Sequence, residues 1–185
     1  MLEITVEPIT MFNQETQEFV AVGPKKPVKL HLEHSLISLS KWEEQTRRKF
    51  FSKEECPQTK EDYLFYIKCM SLDGPIKDDI LTAITNSQLI EIINYIQSVR
   101  SATTIKNNRS TKHSSEILTS ELLYYYLAVF RLPFSAEKWH LSRLLKLIAI
   151  ANAKENPGKK TPKKQILMDN AKLNKARRAA LHSNG

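Results

Sequence analysis

The hydrophobic period changes once along this chain, near Ser35, and that change sets the fold class. Upstream, Leu2, Ile4 and Val6 alternate with Glu3, Thr5 and Glu7; Phe19-Val-Ala-Val22 precedes the breaker Gly23-Pro24; Val28, Leu30 and Leu32 alternate with Lys29, His31 and Glu33. A period of two gives a strand one dry face and one wet face, so residues 1–34 are expected to form a small antiparallel sheet. Its turns are placed at Asn13-Gln-Glu-Thr-Gln17 and at Gly23-Pro-Lys-Lys-Pro27.

Downstream the apolar residues recur at helical spacing. Ser40-Lys-Trp-Glu43 reads as a capping box that opens a short helix to about Phe51, with Glu43 and Glu44 as first-turn acids complementing the helix dipole. The alternation of Ser35, Ser38 and Ser40 is read as capping and turn chemistry, not as a nucleophile. Thr59 is expected to cap a second helix, with Tyr63, Leu64, Ile67 and Met70 on one face before Asp73-Gly-Pro75. A further short helix covers Lys77 to Ala83, and Thr85 caps the clean stripe Leu89, Ile92, Ile93, Ile96 and Val99. Arg100 to Ser115 has almost no apolar residue and reads as an exposed loop. Two apolar helices follow, Leu118 to Arg131 and Ser135 to about Asn152, separated by Pro133 and predicted to form an antiparallel hairpin at the centre of the core.

The overall expectation is therefore α+β: a small N-terminal antiparallel sheet packed with a mainly helical body, plus a basic C-terminal arm. One globular domain over residues 1–153, β-rich to 34 and helical from 35, precedes a flexible or partly helical tail over 154–185. The tail holds nine of the 28 Lys and Arg residues but two of the 20 Asp and Glu residues, leaving 19 against 18 in the body. Nearly all of the formal net charge of +8 is thus on the arm, and the body is close to neutral. From Gln165 to Leu181 the arm has good helix propensity and little means of burying a face. Two readings of it stand side by side: a solvated or partner-docking arm, and a sequence-independent binder of phosphates. The arm carries no aromatic residue for stacking on bases.

Little in the sequence points to catalysis, and no enzyme is expected. Gly23, Gly74, Gly158 and Gly185 are never arranged to cradle a phosphate, which excludes the P-loop and dinucleotide fingerprints. His31 and His34 lack carboxylate or Cys partners at metal-ligand spacing, and His140 is expected as a satisfied buried imidazole. Cys56 and Cys69 are read as reduced thiols, Cys69 as a core filler. No cofactor or metal is expected. No apolar run reaches membrane-spanning length and Met1-Leu-Glu-Ile-Thr5 lacks secretory character, so a cytoplasmic setting is expected. What remains is an aromatic surplus: Trp42, Phe50, Phe51, Tyr124, Tyr125, Tyr126, Phe130, Phe134 and Trp139. Rings at helical spacing usually fill cores. Three successive tyrosines step around a helix by about 100° each, however, so at least one of Tyr124, Tyr125 and Tyr126 should leave the core and present an apolar docking patch.

The segment Leu32-Glu-His-Ser-Leu-Ile-Ser-Leu-Ser-Lys-Trp-Glu43 resembles the opening of the tail assembly chaperones of long-tailed bacteriophages. Tyr66-Ile-Lys-Cys-Met70, Thr119-Ser-Glu-Leu-Leu-Tyr-Tyr-Tyr126, Trp139-His-Leu-Ser-Arg-Leu-Leu145 and Leu173-Asn-Lys-Ala-Arg-Arg178 continue the resemblance in the same order over most of the chain. It implies a non-structural assembly factor in the host cytoplasm that keeps the long helical tape measure protein soluble while tube subunits polymerise around it. The tail tube protein and a second copy of the chain are further partners to consider. On this reading Trp42, Tyr124, Tyr125 and Trp139 contact the partner helix, and Lys172, Lys175, Arg177 and Arg178 steer its acidic stretches. The alternative is a head-to-tail or DNA-packaging accessory that touches nucleic acid through the arm.

Overall fold

Alternation at the N-terminus is realised as two antiparallel strand pairs. A computed structural model describes residues 1–13, 17–104, 117–155 and 163–180. Strand β1 (Leu2–Val6) pairs with β4 (Val28–Leu32), and β2 (Ile9–Asn13) pairs with β3 (Glu18–Val22). In the first pair Ile4 faces Leu30 and both are buried; Glu3 faces His31 on the wet side, and the neighbouring Lys29 bonds Glu3 across the ladder at 2.9 Å. Strand β2 was not anticipated, because Ile9-Thr-Met-Phe12 does not alternate cleanly. Of the turn expected at Asn13 to Gln17, residues 14–16 lie outside the described residues.

Only Pro8 and Glu7 join β1 to β2, whereas residues 23–27 join β3 to β4. Gly23 makes that longer connection possible. Its φ of +101° lies in the left-handed region, and a Cβ there would stand 2.5 Å from the Ala83 Cβ, so only glycine lets the loop rest on the end of the neighbouring helix.

The helical part begins at α1 (Leu36–Thr46), and here the expected start is corrected. Its N-cap is Ser35, not Ser40: the Ser38 amide donates to Ser35 Oγ at 3.3 Å and the Ser35 amide to Ser38 Oγ at 2.8 Å. Ser40 lies inside the helix. The helix ends at Thr46 rather than near Phe51, because Arg47 turns left-handed at φ 58°. Helices α2 (Lys60–Met70) and α4 (Asn86–Gln97) start where expected, each with a reciprocal cap, Thr59 with Asp62 and Thr85 with Gln88. Helix α3 (Asp78–Thr82) lies between them, and α5 (Ser120–Val129) follows Thr119. Residues 101–104 have no regular structure, and residues 105–116 of the expected polar loop lie outside the described residues.

The last body helix is not continuous from Ser135. A 3₁₀ segment, Phe134–Lys138, is followed by a break at Trp139–His140 and then by α6 (Leu141–Glu155). The break has a polar cause: the Leu141 amide donates to the His34 carbonyl at 2.7 Å instead of to a preceding turn.

Two hydrophobic cores result. The first joins Ile4, Val6, Leu30 and Leu32 of the strands to Tyr66, Ile67 and Met70 of α2, with Ile80, Ile92, Tyr95 and Trp42. The second joins Leu36 and Leu39 of α1 to Leu123 and Leu127 of α5, and to Ala136, Leu141, Leu144 and Ile148. Helix α1 therefore serves both, sending Trp42 one way and Leu36 and Leu39 the other. The fold is α+β, strand pairs packed with helices. Met1–Asn152 forms one compact unit and Ala153–Gly185 a second, which contains the basic helix α7 (Lys163–Ala180). Among the described residues no helix is long and apolar enough to cross a membrane.

Candidate functional site

Helix α5 is apolar nearly all round but buries only part of its surface. Its start is held by α1: Glu43 Oε2 accepts the Ser120 amide at 2.7 Å, and Glu43 Oε1 accepts the Phe50 amide at 3.1 Å. Glu43 is thus a buried tie between α1, the chain after it and α5, not the first-turn acid expected. Leu123 and Leu127, four apart, point into the second core. What is left outward is Tyr125, 60% exposed, with Ala128 and Val129 at the i+3 and i+4 positions and the exposed Glu121 at i−4. Tyr125 stands 5.8 Å from the half-buried Tyr126, which stacks on Phe130 at 6.0 Å. Tyr125, Ala128 and Val129 thus form a water-facing, mainly apolar stripe, flanked by the half-buried rings of Tyr126 and Phe130.

The four expected docking rings are not gathered in one place. Tyr124 is half-buried and donates to Glu137 Oε2 at 3.0 Å; burial, and then that carboxylate, push its phenol up to about 12. Trp139 is half-buried against the second core, with the Arg143 guanidinium 4.3 Å over its ring. Tyr125 is exposed. Trp42 belongs elsewhere: it is wholly buried in the first core, edge-on to Phe50 at 5.4 Å, and offers no surface to a partner. Phe134, 58% exposed on the 3₁₀ segment, is an apolar ring that helical spacing alone did not single out for docking.

The four expected cations all lie on α7. Lys172, Lys175, Arg177 and Arg178 are exposed in its second half; the apolar Leu167, Met168 and Leu173 of the same helix are exposed too. Residues 156–162, in the first part of the expected tail, lie outside the described residues.

Between the two cores runs a seam of buried polar groups. His34 Nδ1 and Tyr66 Oη share a hydrogen bond of 2.6 Å, and Ser38 Oγ lies 3.4 Å from the same phenol. The His140 ring sits 5.3 Å from that of His34. His140 Nε2 donates to the Tyr95 carbonyl at 3.1 Å, because a carbonyl only accepts, and its Nδ1 then takes the Ser142 amide at 3.3 Å, which is the neutral tautomer. Tyr95 in turn donates to Glu33 Oε1 at 2.6 Å, and the Met1 amine meets the other Glu33 oxygen at 2.6 Å. Burial, reinforced by the neighbouring His140, lowers His34 to about 3, and burial lowers His140 and raises Tyr66 and Tyr95. Every one of these shifts favours the uncharged form, which suits a structural seam better than proton transfer near neutrality. His31, three residues from His34, faces outward instead and meets Asp73 at 2.8 Å. Compared with protein-family models, curated proteins and solved structures, the chain finds no match in any of the three.

Proposed function

We propose that this protein is a tail assembly chaperone of a long-tailed bacteriophage, binding the tape measure protein in the host cytoplasm and keeping it soluble during tube assembly. The observation that carries the reading is the outward stripe of α5, Tyr125 with Ala128 and Val129, bare on a helix already fixed by Leu123, Leu127 and the Glu43 tie. An amphipathic helix laid on such a stripe buries apolar surface at about 25 cal/mol per Å² without any reaction. Tyr124 and Trp139 border the same core and extend the contact, while the α7 cations Lys172, Lys175, Arg177 and Arg178 steer acidic stretches. Co-expression tests it: the tape measure protein stays in the soluble fraction with the intact chain and precipitates with a Tyr125→Asp, Val129→Asp variant. Equal solubility with both removes the stripe from the mechanism.

The exposed α7 cations favour a second reading, contact with phage DNA through the arm. If those four meet phosphates, affinity for duplex falls about a hundredfold between 50 and 200 mM salt. Deleting residues 154–185 then abolishes binding, whereas the chaperone reading leaves the truncated body still holding tape measure protein.

A further inference from the structure

Two clefts adjoin along α1, apart from the α5 stripe. One, of about 410 Å³, opens between Ile37, Leu72 and Lys138; the other, of about 340 Å³, between Gln45, Phe65 and Pro75. Lys41, Cys69 and Ser71 line both, so the two are one groove with Lys41 at its middle. Ile37, Lys41 and Gln45 stand at i, i+4 and i+8 on one face of α1, a run of about 12 Å, or two helical turns. The apolar lining is accessible: Leu72 is 56% exposed.

The groove holds cations without anions to meet them. Neither Lys41 nor Lys138 joins an ion pair among the described residues. Lys68 is taken by Asp78 at 2.6 Å. Glu33, the one acid among the described residues lining the groove, already has its two oxygens engaged by Tyr95 and the Met1 amine. Cys69 supplies no thiolate either, since burial pushes it up to about 11 although Lys41 and Lys68 pull it down. A ligand that fills this groove must therefore bring both apolar side chains and a negative charge.

We infer that the groove is a docking site for an acidic amphipathic helix of a partner protein, its apolar side chains filling the space between Ile37, Phe65 and Leu72 while a Glu or Asp carboxylate meets Lys41. A phosphate backbone fits it less well: it would meet Lys41 and Lys138 but leave the apolar part of the lining, Ile37, Phe65 and Leu72, unfilled. The inference rests on the proposed function in one respect, that the partner is a helical polypeptide.

The test is a titration of the ¹⁵N-labelled full chain with a stapled helical peptide of about 16 residues that carries leucines on one face and glutamates beside them. Shifts are expected at Ile37, Lys41 and Leu72. Affinity is expected to fall about fivefold to tenfold for Lys41→Gln, and by the same factor when the peptide glutamates become glutamine, with no further loss when both changes are combined. Equal affinity for the glutamate and glutamine peptides overturns the inference, as do shifts confined to α5 or displacement of the peptide by a short DNA duplex. Tape measure fragments separate the two proposals. A fragment that binds wild type and Lys41→Gln alike sinks the groove and spares the chaperone function; fragments that fail to bind while the acidic peptide still occupies the groove do the reverse.

Discussion

The two cores treat aromatic side chains in opposite ways. In the first, Trp42 and Tyr66 are wholly enclosed, packed around Phe50 at 5.4 and 4.7 Å. In the second, the fully buried residues are small or aliphatic, Leu123, Leu127, Ala136 and Leu144 among them, and Tyr124, Tyr126, Phe130 and Trp139 form a half-buried rim with Tyr125 beyond it. The first core has strands, α2, α3 and α4 to close over its rings, whereas the second is enclosed by fewer elements. Similar side chains therefore do different work, stabilising one core and leaving an apolar face on the other.

Substitutions should separate these roles, and the largest effect belongs to the first core. Trp42→Ala is expected to destabilise by about 3–5 kcal/mol, read as a shift in the urea midpoint at constant slope. Next comes the tie between the cores. Glu43→Ala strands the Phe50 and Ser120 amides and should destabilise by about 2–4 kcal/mol, whereas Glu44→Ala, on the exposed neighbour, should stay within about 0.5 kcal/mol. If both glutamates behave alike, the tie is not structural.

The seam gives a pH signature. His34 and His140 are neutral in the fold but bind protons when unfolded, so the unfolded state takes up more protons below the ordinary histidine value of 6.5. Stability is complete above that value and falls as pH drops; for His34 the loss continues toward about 3, with a slope of up to about 1.4 kcal/mol per pH unit, and His140 adds to it in the same direction. Carboxylates such as Asp62 and Asp73, held low by Arg48 and His31, add their own loss only nearer pH 4. Urea titrations between pH 6.5 and 5 thus read the histidines, and His34→Gln should lower the slope there by up to about 1.4 kcal/mol per pH unit. An unchanged slope would mean that His34 is not held neutral.

The smallest effect on stability belongs to the second core's outer face. Tyr125→Ala should change stability by less than about 0.5 kcal/mol, because the ring is mostly exposed. A larger loss would show that the stripe is part of the core after all.

Local signals were legible and distant ones were not. The alternation in β1 and β4 and the caps at Thr59 and Thr85 each depend on residues within a few positions, and each appears in the fold. The start of α1 was misplaced because Ser40-Lys-Trp-Glu43 matches the usual capping consensus better than Ser35-Leu-Ile-Ser38 does. Nothing nearby reveals that Glu43 is reserved for Ser120, 77 positions away. The same distance hid the helix break before Leu141, set by His34, and the burial of Trp42, whose helical spacing fits a core or a docking face equally well. Of the candidate site, the stepping of three adjacent tyrosines required at least one outward ring, without telling that it is Tyr125. The groove along Lys41 did not, because it needs α1 and α2 side by side.

Calorimetric titration of tape measure fragments into the full chain, wild type against Tyr125→Ala, tests the central claim most directly. The α5 stripe as docking face predicts at least a tenfold weaker affinity for the variant, about 1.4 kcal/mol, at unchanged thermal stability. Unchanged affinity, or a loss that simply follows a loss of stability, contradicts it.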